Sequence, residues 1–310
     1  MQPDVSFIIP AWRAADTVGT ALTSALAQTG VSVECIVVDD CSGDGTADAA
    51  RALGDPRVTV LSLPDNRGPA GARNAALEQA RGRWIAVLDC DDRLLPDRLH
   101  RMIARGEARD AAIVVDNLIV EEAGQGRPMF PTRHLERLDT IALDRFILSN
   151  RIFRSRFNYG YMKPILRRDV LERHAIRYPE ALRIGEDFLF MASVMAWGGT
   201  CVVEPSAGYV YAIRQGSISR VLHPEHVEAL IQADEAFQAA HSLSPSARRA
   251  MQRHAKSLAD AAAFLALVEH LKQGAIGRAF RQAIANPVAF THLRMPIQVR
   301  LQRLTRPRLG

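Results

Sequence analysis

The chain has 310 residues, 48% of them hydrophobic and 24% charged, with 39 Lys and Arg against 34 Asp and Glu for a net charge of +5. That usage excludes a disordered or fibrous chain and suffices for one large domain, or a domain with an appendage, around a packed core. The mild basic excess suits an anionic partner, but no aromatic platform or recognisable module accompanies it, so nucleic acid is not the expected one.

In chain order, four short runs come first: "VSFII" (5–9), "ECIVV" (34–38), "RVTVL" (57–61) and "WIAVL" (84–88). They are β-rich and nearly continuous in apolar residues, as strands buried on both faces are. Amphipathic segments beginning near Thr17, Thr46 and Ala70 separate them. The resulting β-α-β-α-β-α-β order predicts an α/β fold with an open, mostly parallel sheet flanked by helices. After about residue 115 the alternation fades. Residues 121–136 read as a loop, Thr140 to Asn150 as a helix, "NYGYMKPILRRDVL" as a strand or loop entering a helix, and "EDFLFMASVMAW" as a helix. "TCVVE" and "GYVYAI" read as two further strands, and from about His223 the pattern is helical. The expected organisation is a catalytic domain over 1–222 and a helical, basic extension over 223–310.

In open α/β sheets ligands bind beyond the carboxyl ends of the strands, where this sequence places "PAWRAAD", "DDCSGDG", "PDNRGPAGARN" and "DCDD". The absence of glycine after the first strand argues against a dinucleotide site. "DDCSGDGTAD" has the early spacing of a calcium loop but carries Arg51 where a bidentate Glu is needed. Ser42, Asp44 and Thr46 serve equally well as a capped turn. Asp39 leaves its strand directly toward the crevice, where a carboxylate accepts hydrogen bonds from a base or ribose. Gly68, Pro69 and Gly71 open a helix, with Arg67 and Arg73 in or beside the turn, and amides and guanidiniums so placed suit a diphosphate. Asp89, Asp91 and Asp92 crowd a strand end. Carboxylates that close repel one another unless a cation sits among them, and a hard Mg²⁺ or Mn²⁺ accepts one or two of them together with substrate phosphates.

"VSFIIPAW", "VVDDCSGDGT", "NRGPAGARNAAL", "GRWIAVLDCDD" and "IGEDFLF" stand in the order and approximate spacing of the family 2 glycosyltransferases, inverting enzymes of the GT-A fold, which the chain resembles over about residues 4–220. The resemblance implies a nucleoside diphosphate sugar donor, usually a uridine one. Its base lies near the first two strand ends, at Pro10 and Asp39, and a divalent metal at the D-x-D motif Asp89-Cys90-Asp91. Asp91 is the first choice of metal ligand. Asp89 serves the metal, the ribose or the sugar, and Asp92 can replace either. The resemblance makes Asp187 the general base for the acceptor hydroxyl, with Glu186 binding acceptor or orienting the site; two acids favouring a helix N-terminus are the plainer reading. The segment from Asn158 to Asp187 is similar to the acceptor side of succinoglycan-type exopolysaccharide enzymes. Arg214, Ser217 and Ser219 correspond to a segment that closes over the diphosphate, with Arg214 where the family often has His. No Q-x-x-R-W follows "GED", so single additions are expected rather than polymerisation. A sugar-nucleotide nucleotidyltransferase, which needs a Gly-rich basic loop after the first strand, and a binding protein without turnover are the alternatives.

After Glu269 there is no acid, while Lys272, Arg278, Arg281, Arg294, Arg300, Arg303, Arg306 and Arg308 alternate with apolar residues. That composition suits an anionic lipid surface, where a polyprenyl-linked acceptor would be found. The alternative is a helical cap packed on the catalytic domain or on a second copy in a homodimer. Cys35, Cys41, Cys90 and Cys201 form no C-x-x-C pair and read as free thiols in a reducing compartment. "MQPDVSFIIP" lacks the features of a signal peptide, and no apolar run approaches the roughly 18 residues of a spanning helix. The expected place is the cytoplasm, at most peripheral to the inner face of the membrane.

Overall fold

The structure is a computed structural model that describes residues 2–122, 124–213 and 222–287. Strands β1 (Val5–Ala11), β2 (Val33–Asp39), β3 (Val58–Ser62) and β4 (Trp84–Val87) pair in parallel in the order β3-β2-β1-β4. Helices α1 (Val18–Leu26), α2 (Thr46–Arg51) and α3 (Gly68–Gln79) make the crossovers. Nearly every residue of β1, β2 and β4 is buried, which is why these runs lack a polar face. Ala11 pairs with Asp39, so the loops after β1 and β2 leave the sheet together.

The second half of the sheet mixes directions. It contains β5 (Arg93–Leu94), β6 (Ile113–Glu122), β7 (Gln125–Pro128), β8 (Ile165–Arg167) and β9 (Cys201–Ala212). The order continues from β4 as β8-β6-β9-β5, with β7 on β6; β8 runs antiparallel to β4 and β6, and β9 parallel to β6. Helices α4 (Arg98–Ala108), α5 (Thr132–Glu136), α6 (Leu143–Ser149), α7 (Arg168–Arg173) and α8 (Glu186–Ala196) complete this half.

Here the structure departs from the sequence pattern. The two expected strands "TCVVE" and "GYVYAI" are one strand, β9, whose interruption at Pro205 and Ser206 is absorbed as a bulge: Asp116 pairs with Glu204 and Asn117 with Ala207. The start of the 121–136 loop closes the β6–β7 hairpin. The central strand β6 has no counterpart in the expected elements, because Asp116 and Asn117 interrupt its apolar run. Both are satisfied at long range. Arg98 donates to Asp116 through Nε and Nη2, each at 2.8 Å, with both side chains 0% exposed. Asn117 donates to the Phe130 carbonyl and accepts from the Phe130 amide. Gly208 makes the room, since a Cβ there would lie 2.5 Å from Arg98 Cγ and 2.8 Å from Asp116 Oδ2.

The helical pattern becomes α9 (Pro224–Ala240), α10 (Pro245–Lys272) and α11 (Ile276–Ala285). Val227, Leu230, Phe237, Met251 and Leu258 join the same core as the sheet, so α9 and the first part of α10 cap the sheet domain. They also brace α8. Gly185, at φ +79°, precedes α8, and a Cβ there would lie 2.6 Å from Leu230 Cδ2. His254, paired with Asp234 at 2.7 Å, packs against the Phe188 ring.

Candidate active site

The loops after β1 and β2 are tied to each other. Ser42 Oγ accepts from the Arg13 amide, Thr46 Oγ1 from the Ala14 amide, and Asp39 Oδ1 from the Ser42 amide at 3.2 Å. Asp44 accepts from the Thr46 amide and hydroxyl, a local turn before α2, while Ser42 and Thr46 join that turn to the loop after β1. Arg13 and Cys41 adopt the left-handed region at φ 51° and 59°, backbone that surrounding contacts must hold in place. Asp39 is buried at the end of β2, with Pro10 paired to Val38 beside it.

The next acid, Asp40, takes two of the helix-terminus amides that the sequence offers to a diphosphate. Its carboxylate accepts from the Arg67 amide at 2.7 Å and the Gly68 amide at 2.8 Å. These amides of the α3 N-terminus are therefore engaged within the protein and are not offered to a diphosphate. Arg67 and Arg73 are likewise committed. Arg67 pairs with Glu180 through bonds from 2.7 Å, and Arg73, 4% exposed, lies beneath three carboxylates. Arg73 is thus enclosed by acids, whereas the Arg67 side chain stays 44% exposed beside Glu180.

Around Arg73 the distant motifs meet. Its Nη2 is 2.8 Å from Asp89 Oδ1, and its Nη1 is 2.8 Å from Glu186 Oε1 and 3.2 Å from Asp187 Oδ1. Lys163, which no motif marked, closes the ring with Nζ 2.7 Å from Asp89 Oδ2 and 3.5 Å from Asp187 Oδ2. Position explains it. β8 lies antiparallel to β4, so the residues just before β8 run beside the Asp89 loop. Burial alone would raise the Asp89 carboxyl, but Lys163 and Arg73 hold it well below the usual range. Burial, with Asp187 beside it, pushes Glu186 up to about 7. Asp187 is the more open of the pair, its side chain 29% exposed against 10% for Glu186.

Asp92 is turned to structure. It is 2% exposed, and its two oxygens accept from Tyr209 Oη at 2.7 Å and from the Ala212 amide at 2.9 Å. Burial, with Asp89 and Asp91 nearby, pushes its carboxyl up to about 8. Tyr209 Oη also accepts from the Asp89 amide, so Asp92 and Tyr209 shape the loop instead of offering oxygens to a ligand. Lys163 lies in the acceptor-side segment and Tyr209 in an expected strand, but neither residue stood out, since only pairing through β8 and β9 brings them here. Arg214, Ser217 and Ser219 lie outside the described residues.

Among the described residues no three His, Cys, Asp or Glu side chains are grouped to hold a metal by themselves. Asp91, exposed on the same loop, and Asp89, whose two oxygens meet Arg73 and Lys163, make up an all-oxygen donor set. That set fits a hard dication, which binds one or two carboxylates and completes its shell with water and phosphate. A soft-metal cage is not what it resembles.

The profile described as "Glycosyl transferase family 2" matches residues 6–170, from β1 through β8. The succinoglycan biosynthesis protein ExoO of Rhizobium meliloti (strain 1021) is 52% identical over 303 residues, covering 97% of this chain and 87% of that protein. In fold the chain is similar to S. aureus TarS 1–349 in complex with UDP, with TM-score 0.64 at 18% identity over 94% of this chain and 91% of that one. It is also similar to the mannosyltransferase PcManGT from Pyrobaculum calidifontis in complex with GDP-Man and Mn²⁺, with TM-score 0.61 at 19% identity over 97% and 81% of the two chains. At these identities the structural likeness speaks for the GT-A fold alone. The family profile over more than half of the chain and a 52% identical relative along nearly all of it go further, and they join the D-x-D and Glu-Asp motifs that Arg73 gathers into one site: the chain belongs to glycosyl transferase family 2.

Proposed function

We propose that the protein transfers single sugars from a UDP-sugar to a hydroxyl of a glycan or polyprenyl-linked saccharide, with inversion, in the synthesis of a cell-surface polysaccharide. The observation that carries this reading is the meeting of Asp187 with the Asp89 loop across Arg73 and Lys163, which brings the Glu-Asp motif beside the D-x-D loop. Similarity to a succinoglycan biosynthesis protein and to a UDP-bound structure supports the polymer class and the uridine donor. Asp39 and Pro10, at the ends of β1 and β2, take the nucleoside. Asp91, with Asp89, would hold Mn²⁺ or Mg²⁺, which when bound neutralises charge on the departing diphosphate. Asp187 takes the proton of the acceptor hydroxyl as that oxygen attacks the anomeric carbon opposite the leaving group. Glu186, held by Arg73, orients the acceptor side. UDP release from a panel of UDP-sugars, with and without Mn²⁺, tests the activity. Asp91→Ala is expected to abolish Mn²⁺-dependent UDP binding in calorimetry while the fold persists; wild-type affinity in that variant would place the metal elsewhere.

The acceptor reading extends to the membrane surface. Among the described residues no helix is long and apolar enough to cross a membrane. On α11, however, Ile276, Phe280 and Ile284 are 64%, 66% and 64% exposed along one face, with Arg278 and Arg281 also exposed. A helix of that kind lies on anionic lipid at the cytoplasmic face, each basic residue adding roughly 1 kcal/mol at low salt. The chain is expected to sediment with anionic but not neutral vesicles, and Phe280→Asp with Ile284→Asp to remain in the supernatant. Undiminished sedimentation of that variant would make α11 a cap or a dimer contact.

A further inference from the structure

Lys163 touches both sides of the crevice. It bridges Asp89, on the loop after β4, and Asp187, on the first turn of α8. Its side chain is 11% exposed, and an ammonium so buried is costly unless its partners offset the lost hydration. Its backbone is fixed separately. The Lys163 carbonyl accepts from Arg98 Nη2 at 2.6 Å, and Arg98 is locked on Asp116 at the centre of the sheet. The next residue, Pro164, accepts from the Val87 amide on β4.

The contacts of the two cations are graded. Asp89 lies 2.8 Å from Arg73 and 2.7 Å from Lys163, and Glu186 2.8 Å from Arg73, the range of charge-assisted hydrogen bonds, whereas Asp187 stands 3.2 Å from Arg73 and 3.5 Å from Lys163. At that longer range the Asp187 carboxylate is flanked by both cations without a short bond to either. Resting on the reading of Asp187 as the base, we infer that Lys163 is a positioning residue that ties the Asp187 carboxylate to Asp89, and so fixes the base relative to the donor side of the crevice. Arg73 spans the same two acids from beneath but also holds Glu186, whereas the compact ammonium of Lys163 joins Asp89 and Asp187 directly. A base displaced by about 1 Å loses on the order of 10² in rate.

A double-mutant cycle on the full chain tests this, with kcat and the UDP dissociation constant in Mn²⁺ measured for Lys163→Met, Asp187→Asn and the double variant. Lys163→Met is expected to lower kcat about 10²-fold with UDP affinity held within about threefold. The double variant should be no slower than Asp187→Asn alone, because one route is lost only once. Fully multiplicative losses, or a fall in UDP affinity as large as the fall in kcat, would overturn the inference, since Lys163 would then act on the donor or on the fold. Normal turnover in Lys163→Met alongside loss in Asp187→Asn sinks this inference alone. Normal turnover in Asp187→Asn sinks the base reading and this inference with it. Should Lys163→Met not fold, Lys163→Arg takes its place in the cycle, with about a tenfold fall in kcat expected and the same non-additivity.

Discussion

The two halves of the sheet bury their polar groups in different places. In β3-β2-β1-β4 the strand interiors are apolar and the acids sit at the ends: Glu34 at the amino end of β2, Asp39 and Asp40 at its carboxyl end, and Asp89 after β4. In β8-β6-β9-β5 an ion pair stands mid-sheet, Arg98 with Asp116, and Asn117 follows it. The parallel half is thus a scaffold with a site at one end. In the mixed half, packing and site are one system. Arg98, which holds Asp116, also holds the Lys163 carbonyl and lies over the Tyr209 ring, 5.2 Å from its centroid, and Tyr209 Oη reaches Asp92 and the Asp89 amide.

The largest effect should come from the mid-sheet pair. Arg98→Met leaves Asp116 charged and unpaired at 0% exposure, and should lower unfolding free energy in urea by about 3–5 kcal/mol. Adding Asp116→Leu should recover most of that loss, because an apolar pair of similar volume is often no worse than a buried ion pair. A single variant as stable as wild type would make the two halves energetically alike.

Next comes the division of labour. Asp187→Asn, on the mixed side, is expected to lower kcat by about 10² or more, roughly 2.7 kcal/mol, with UDP and Mn²⁺ binding retained. Near-normal kcat would move the base, with Glu186 the first candidate. A parallel loss of UDP affinity would erase the division between a donor half and a turnover half.

The smallest effect sharpens the scaffold side. Glu34, at the end of β2 away from the site, accepts from Ser6 Oγ at 2.6 Å and from the Arg81 amide at 2.8 Å. Burial would raise its carboxyl, but the Ser6 hydroxyl first, then the Arg81 guanidinium 2.6 Å from Oε2, then the Arg81 amide, bring it below its ordinary 4.5. A lowered carboxyl stabilises the fold above that ordinary value and loses its contribution as pH falls through the folded one. Glu34→Gln should therefore cost about 1–2 kcal/mol at pH 7, and the gap to wild type should close as pH drops below about 4. kcat should not change. A gap that persists in acid would mean that packing, not charge, accounts for the cost.

Legibility followed the same division. The parallel strands stood in the sequence because β1, β2 and β4 are buried on both faces, and even the edge strand β3, only partly buried, keeps an apolar run; Asp39, Asp89 and Asp91 stood out at strand ends, and Glu186 and Asp187 through the family resemblance. β6 did not, since Asp116 and Asn117 break an apolar run that only distant Arg98 and Phe130 make tolerable. The bulge in β9 escaped for the same reason: Pro205 reads as a break until β6 is beside it.

By itself, then, the sequence determined the parallel α/β frame and the family, because these depend on periodicity and short motifs, and through the resemblance it nominated the acids of the proposed chemistry. Only the tertiary structure decided which of those acids remain available and what sets their charge. Asp40 closes the α3 amides, Tyr209 takes Asp92, and Arg73 and Lys163 bracket Asp187. The physical reason is that a carboxylate's role depends on which cations and donors lie within about 4 Å of it, and here those partners come from strands that neighbour it only in the folded sheet.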